Sequence, residues 1–583
     1  MPCSFRPWQI GGERLSTVRL LRRTEPISYR TPLALLLVSL SLIVAAWWWL
    51  ATPVSLSRAP IDPSDKLECV SYAPFRGSQT PLIASTQIAA EQIAEDLAQL
   101  AKISKCVRTY SIQNGMDKVP ELAEKVGLKV MLGIWLGGDR YKNAAEIAGA
   151  AALTKEYPGV ITAVVVGNEV LLRGEMTAAD LAATIRQVKP KVKVPVTYAD
   201  VWEYWLRHRD VYDAVDFVTI HILPYWEDLP VRARYAAAHV DSIRKRVAVA
   251  FPNKEILIGE TGWPSAGRMR EGALPSRANQ ARVVSEILSL AKRENYRVNL
   301  IEAYDQPWKR QLEGTVGGYW GLIDADQRAL KYPAGQPVSN YPLWKIYLGC
   351  GLGLSVLVFG AAMLTARRRP WSPRFLSWLA VGVSATASGV LFGIAVDKMI
   401  YESLGYGGWA MWGLLLAAGT LAPILGASAL IAGRALPSFL ELIGPREGRT
   451  KSWLARGLVL CFGVTTVIGA MTALGFTFDP RYRDFPFASL TMAVLPFLAL
   501  ALLNRPTHGT RPIAEAVFAG VFAVTAIYTG FNEGPKNWQA LWTVAAYLMM
   551  AVTLWRARDE QPQAKDESAR LSDPTTRLDS AVL

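Results

Sequence analysis

Val164-Val165-Val166-Gly167-Asn168-Glu169 and Ile256-Leu257-Ile258-Gly259-Glu260-Thr261-Gly262-Trp263-Pro264-Ser265 are the two phrases that decide the fold. Each is an apolar run closed by a glycine, with a carboxylate following within two residues. Strands that are apolar on both faces belong to parallel sheets covered by helices. Outward from the two phrases, strand-like runs at 67–72, 106–111, 129–134, 161–167, 192–197, 217–222, 255–259 and 299–303 alternate with amphipathic patterns such as 87–103, 141–156 and 277–294. Eight β-α units in about 270 residues fit an α/β (β/α)8 TIM barrel over residues 67–340. An open doubly wound sheet would want a Gly-x-Gly-x-x-Gly turn after its first strand, and none follows here.

The rest of the chain has a different character. Over 583 residues, 51% are hydrophobic and only 19% charged, with a mean hydropathy of +0.17. That is too apolar for a wholly soluble protein, and the excess is localised. An apolar run at 31–51 ends in Trp47-Trp48-Trp49, and seven more (343–366, 376–396, 409–433, 455–475, 487–503, 513–531 and 538–555) approach the length that spans a bilayer as a helix. The reading divides the chain into a basic N-terminus (1–30), a transmembrane signal anchor (31–51), a linker (52–66), the barrel (67–340), an all-α polytopic membrane domain (341–556) and a polar, disordered tail (557–583).

The net charge of +14 does not point to nucleic acid, because the basic residues cluster beside the apolar runs. Arg19, Arg22, Arg23 and Arg30 precede the first run, and Arg367, Arg368, Arg369 and Arg374 follow the second. Further groups sit at Arg434, Arg446, Arg449 and Lys451, at Arg505 and Arg511, and at Arg556 and Arg558. Under the positive-inside rule these sites, and both termini, are cytoplasmic, so the barrel is translocated. Asp397, Glu402 and Glu515 fall near span ends and read as interfacial charges. The five cysteines (Cys3, Cys69, Cys106, Cys350 and Cys461) have no metal-site or disulfide-framework spacing. Cys69 and Cys106 fall on adjacent strands, as a bridge or as two buried thiols.

Active sites in this fold sit at the C-terminal ends of the strands. Those ends hold Tyr72, Arg108 and Tyr110, Trp135, Asn168 and Glu169, Tyr198, His221 and Tyr225, Glu260, then Glu302 and Trp308. Two glutamates, an amide, an arginine and several aromatics make a sugar-binding cleft. Two carboxylates facing one cavity can break a glycosidic bond.

With these residues the chain resembles glycoside hydrolase family 17, β-1,3-glucan-active (β/α)8 enzymes with catalytic glutamates on strands four and seven. The matching phrases are Gly167-Asn168-Glu169-Val170, Gly259-Glu260-Thr261-Gly262-Trp263-Pro264-Ser265, Ala278-Asn279-Gln280-Ala281, Glu302-Ala303-Tyr304-Asp305-Gln306-Pro307-Trp308-Lys309 and Trp320-Gly321-Leu322. They span about residues 67–335. The layout is similar to bacterial inner-membrane members linked to β-(1,3)/(1,6)-glucan synthesis, including cyclic-glucan proteins. Eukaryotic members often carry Asn-Ile-Tyr-Pro-Tyr where this chain has His221-Ile222-Leu223-Pro224-Tyr225.

The resemblance implies Glu169 as general acid/base and Glu260 as nucleophile, with the carboxylates ~5–5.5 Å apart and retention of configuration. Asn168 is expected on the sugar 2-hydroxyl and Tyr225 on Glu260. Trp308 and Trp135 are candidate stacking platforms, Arg108 a partner that keeps Glu260 ionised, and Glu302, Lys309 and Tyr72 further substrate-site residues. His221 is read as structural. No cofactor and no metal are assigned. The partners implied are a β-glucan oligo- or polysaccharide, the lipid bilayer and a membrane glucan synthase, with the barrel in the periplasm. The competing function is a non-catalytic glucan-binding or glucan-export component.

Overall fold

The computed structural model describes residues 29–56, 61–62, 64–332, 337–369, 372–439, 452–504 and 509–558. The expected basic positions Arg19, Arg22, Arg23, Arg446, Arg449, Lys451 and Arg505, with Cys3 and most of the tail, lie outside them.

Eight parallel strands close into a barrel in chain order. They are β1 (Cys69–Ser71), β2 (Cys106–Arg108), β3 (Lys129–Ile134), β4 (Ile161–Asn168), β5 (Val196–Val201), β6 (Val218–His221), β7 (Ile256–Thr261) and β8 (Val298–Leu300). β8 returns to β1 through the pairs Cys69–Asn299 and Val70–Leu300. Cys69, Cys106, Met131, Ala163, Val165, Ala199, Phe217 and Leu257 form one buried apolar cluster drawn from six of the strands and the approach to β6. The helices pack outside, and their starts are locally encoded. Asp139 accepts from Tyr141 N and Lys142 N at the head of Arg140–Glu156, and Ser276 accepts from Asn279 N at the head of Arg277–Glu294.

Two readings need correction or completion. β5 was expected at 192–197 and runs four residues later, at Val196–Val201. The single turn Lys189–Lys191 and Pro195 hold the chain out of the ladder until Asp216 Oδ2 accepts from Val196 N at 2.7 Å. This brings Asp200 to the strand end. Cys69 and Cys106 are joined by a disulfide between β1 and β2, which settles the pair as a bridge rather than two thiols.

The second region is a bundle of long apolar helices. Arg30–Ala51, Trp344–Arg367, Phe375–Glu402, Gly405–Ile431, Trp453–Phe478, Ile513–Glu533 and Trp538–Trp555 are long and apolar enough to cross a membrane by length and composition. Phe487–Leu503, the span with Pro496 inside it, is shorter, at 17 residues. The connections at 403–404, 479–486 and 534–537 all meet the barrel. The stretch expected as a linker is tied down: Val54 and Val338 exchange backbone hydrogen bonds of 2.9 and 3.3 Å. Asp397 and Glu402 are not free interfacial charges either. Tyr347 Oη donates to Asp397 at 3.2 Å, and Lys398 pairs with a buried Glu402. Glu515 is buried too, its Oε1 accepting from Phe439 N.

Candidate active site

The glycine-ended strands aim both glutamates as the sequence suggests, by different local devices. At Gly167 the backbone turns to φ +87° and at Glu169 to φ +53°. This left-handed step suits a glycine and costs an L residue strain of order 1 kcal/mol or more. It is held by Glu169 N donating to Ala199 O at 2.7 Å and by the Arg173 guanidinium on Asn168 O at 3.0–3.2 Å. At β7 the need is space. A Cβ on Gly259 would stand 2.3 Å from the Thr219 methyl and 3.3 Å from the His221 ring.

That space admits His221, which lies between the two carboxylates. Its Nδ1 is 2.7 Å from Glu169 Oε1 and its Nε2 is 3.6 Å from Glu260 Oε1. Oxygens of Glu169 and Glu260 come within 4.8 Å of one another. His221 is fully buried, and Nε2 has no hydrogen-bond partner among the described residues. The structural role expected for His221 is too small for this position: it touches both glutamates.

Glu260 is almost wholly buried. Its Oε1 accepts from Arg108 Nη1 at 2.6 Å and from Tyr110 Oη at 3.0 Å. Burial by itself would raise its pKa, but His221, Arg108 and Lys309 outweigh it and hold the carboxyl below the ordinary range. Arg108 is itself buried and also donates to Asn168 Oδ1. The amide oxygen is thereby engaged, which leaves the NH2 as its donor group. Glu169 is more open, with its side chain 21% exposed. Beside it stands Asp200, with its carboxyl pushed up to about 6 by burial and by the Glu169 charge, against the Tyr198 hydroxyl that donates to it. Asp200 was missed because the strand was read as ending earlier.

A fourth carboxylate, Glu302, is coupled to Glu260. Lys309 Nζ lies 3.0 Å from both oxygens of buried Glu302. Burial pushes Glu302 up to about 7 although Lys309 pulls it down and Glu260 adds to the rise. Glu302 and Lys309 are thereby electrostatically coupled to Glu260. Trp135, at the end of β3, is 39% exposed with the Arg173 guanidinium 4.2 Å from its ring centroid. Trp308 is partly buried, edge-on to Phe75 at 6.1 Å and donating to Gln306 Oε1.

Two expected site residues are elsewhere. Tyr225 is buried under Trp226, Trp263 and Trp320 and donates to Arg268 O at 2.9 Å, so it does not orient Glu260. Its place past the end of β6 turns it toward the following loop, and Tyr110 takes the glutamate instead. Tyr72 is fully buried and donates to Asp96 on the helix behind β1, outside the cleft.

Glu169, His221 and Glu260 have donor atoms suited to a cation. However, Arg108 already supplies positive charge to Glu260 at contact distance, which disfavours a second cation there.

Residues 69–321 match the family described as the BtgE/BtgC glycoside hydrolase domain. The "Glucan 1,3-beta-glucosidase BGL2" of Candida albicans is 29% identical over 261 residues, covering 41% of this chain and 84% of the relative. A Saccharomyces cerevisiae "Glucan 1,3-beta-glucosidase" is 26% identical over 261 residues, covering 41% and 82%. Among solved structures, a glycoside hydrolase family 17 β-1,3-glucanosyltransferase from Rhizomucor miehei aligns with a TM-score of 0.41 at 25% identity, covering 46% of this chain and 95% of that one. The barrel is an enzyme domain of the O-glycosyl hydrolase type. The helical region lies beyond the family match.

Proposed function

We propose that this protein cleaves β-1,3-linked glucosyl chains through a glycosyl-enzyme intermediate, and passes the glucosyl unit to a sugar hydroxyl or to water. Glu260, ionised and buried against Arg108, attacks the anomeric carbon. Glu169, on the open side, protonates the departing oxygen and then deprotonates the acceptor. The observation that carries this reading is the approach of the two carboxylates to within 4.8 Å, close to the ~5–5.5 Å of retaining enzymes and well short of the 6.5–9.5 Å that leaves room for a water in inverting ones. The names of the relatives supply the substrate class.

The reading extends to location. The barrel-side connections hold few basic residues (Arg481, Arg483 and Lys536), while Arg367, Arg368, Arg369, Arg374, Arg434, Arg511, Arg556 and Arg558 mark the opposite ends of the helices. That asymmetry supports a multi-pass protein of the bacterial inner membrane with its barrel in the periplasm. The Cys69–Cys106 bridge belongs in an oxidising compartment as well. Tethered there, the enzyme remodels glucan as a membrane synthase delivers it.

Incubation of the full-length protein in detergent micelles with laminari-oligosaccharides tests the proposal. Transfer yields products longer than the substrate, and hydrolysis only shorter ones. Unaltered substrate would leave a non-catalytic glucan-binding role and overturn the enzyme reading.

A further inference from the structure

The connection 479–486, between the helices Trp453–Phe478 and Phe487–Leu503, is wedged among three of the eight loops at the catalytic end of the barrel. On the loop after β7, Arg268 donates to Pro480 O, pairs with Glu533 Oε1 at 2.5 Å and lies 4.9 Å from the Phe485 ring. On the loop after β8, Thr315 Oγ1 donates to Asp484 Oδ2 at 2.7 Å. Gly314 comes so close that a Cβ there would stand 2.5 Å from Tyr482 O. On the loop after β6, the Trp226 ring meets the Tyr482 ring edge to face at 6.3 Å. The contacts are polar and aromatic, mostly partly buried, and spread over three loops, so the segment is held at several points.

The same β8 loop reaches the catalytic pair on its inner side. Lys309 holds Glu302, and Glu313, directly before Gly314, feels both glutamates. Burial, opposed by Lys309, and the charges of Glu169 and Glu260 push its carboxyl up. Tyr482 thus packs on Gly314, the residue after Glu313, and Trp226 stands five residues beyond His221 on another loop. Tyr482 is partly buried and Arg481 exposed, with the Arg481 guanidinium 5.2 Å from the Tyr482 ring. A tyrosine and a tryptophan set edge to face, with polar tips and arginines around them, are suited to the apolar face and hydroxyl rim of a pyranose.

We infer that Tyr482, supplied by the helical domain, forms with Trp226 a glucan subsite away from the scissile bond, taking a glucosyl residue of the bound chain. This rests on the glucan-cleaving reading above and adds to it a binding element outside residues 69–321. Long chains gain a contact that short ones cannot reach, so the helical domain sets chain-length preference as well as location. Binding energy from a remote part of the substrate appears in kcat/KM only for substrates long enough to collect it.

The test uses the full-length protein in detergent micelles, comparing kcat/KM for laminaritriose and laminariheptaose. Tyr482→Ala is expected to lower the heptaose value roughly fivefold to tenfold, leaving the triose value within about twofold. Tyr482→Trp, which keeps a stacking face, should retain the heptaose rate. Retained triose activity shows that the variant is folded. Equal loss on both substrates, or no loss on either, overturns the subsite. Glu260→Gln, run beside them, separates the two readings. If it still turns over both substrates the catalytic proposal fails. If it is inactive while Tyr482→Ala shows no length dependence, only the subsite fails.

Discussion

Glu169 and Glu260 share a sequence signature, an apolar strand ended by glycine, yet the fold gives them opposite surroundings. Glu260 is buried with a guanidinium, a phenol and an imidazole facing one oxygen. Glu169 is one-fifth exposed and touched by His221, with the acidic Asp200 behind it. The first environment favours an anion that stays an anion, as a nucleophile requires. The second leaves a carboxylate open to a ligand, as the acid/base role proposed for Glu169 requires. Similar strand ends thus acquire different chemistry from residues on β2, β5 and β6, not from their own motifs.

The sharpest way to break this contrast is to neutralise each glutamate. Glu260→Gln should lower kcat by on the order of 10^4-fold or more on every substrate, while isothermal titration still detects oligosaccharide binding. Glu169→Gln should cost about 10^2- to 10^4-fold on oligosaccharides, and much less on an aryl β-glucoside whose leaving group departs without a proton. Equal losses on both substrate types would merge the two roles. Arg108→Gln sharpens the electrostatic half. Arg108 helps hold Glu260 below the ordinary carboxylate range, so its loss lets the nucleophile protonate at higher pH. The acid limb of the kcat/KM profile should then move up by at least about one pH unit. A limb that stays in place would remove Arg108 from that role. The smallest effect separates two tyrosines. Tyr110→Phe should lower kcat about tenfold through the lost bond to Glu260. Tyr225→Phe, which loses a bond to Arg268 O, should leave kcat unchanged and cost about 1 kcal/mol of stability in a thermal melt.

Much of the barrel could be read locally. Eight apolar runs separated by helical periods fix the strand count, and glycine followed by a carboxylate marks two strand ends. What escaped depends on neighbours in space. β5 shifted by four residues because the Lys189–Lys191 turn and Pro195 delayed its pairing, and Asp200 went unseen as a result. His221 could not be assigned from its own strand, since its ring lies where Gly259 of β7 leaves room. Tyr225 and Tyr110 are equally plausible along the chain, and only their directions distinguish them. The disulfide required the true register of β1 against β2. Docking of the 479–486 connection on the catalytic face left no sequence signal, because polar side chains from distant segments make it.

The claim on which the rest depends is that Glu260 becomes bonded to the sugar. Treating the full-length protein with a fluorinated, slow-turnover β-glucosyl donor and mapping its peptides by mass tests this directly. The account predicts one glucosyl adduct, on the peptide that contains Glu260. An adduct on Glu169, or turnover to an inverted product with no adduct, would contradict it.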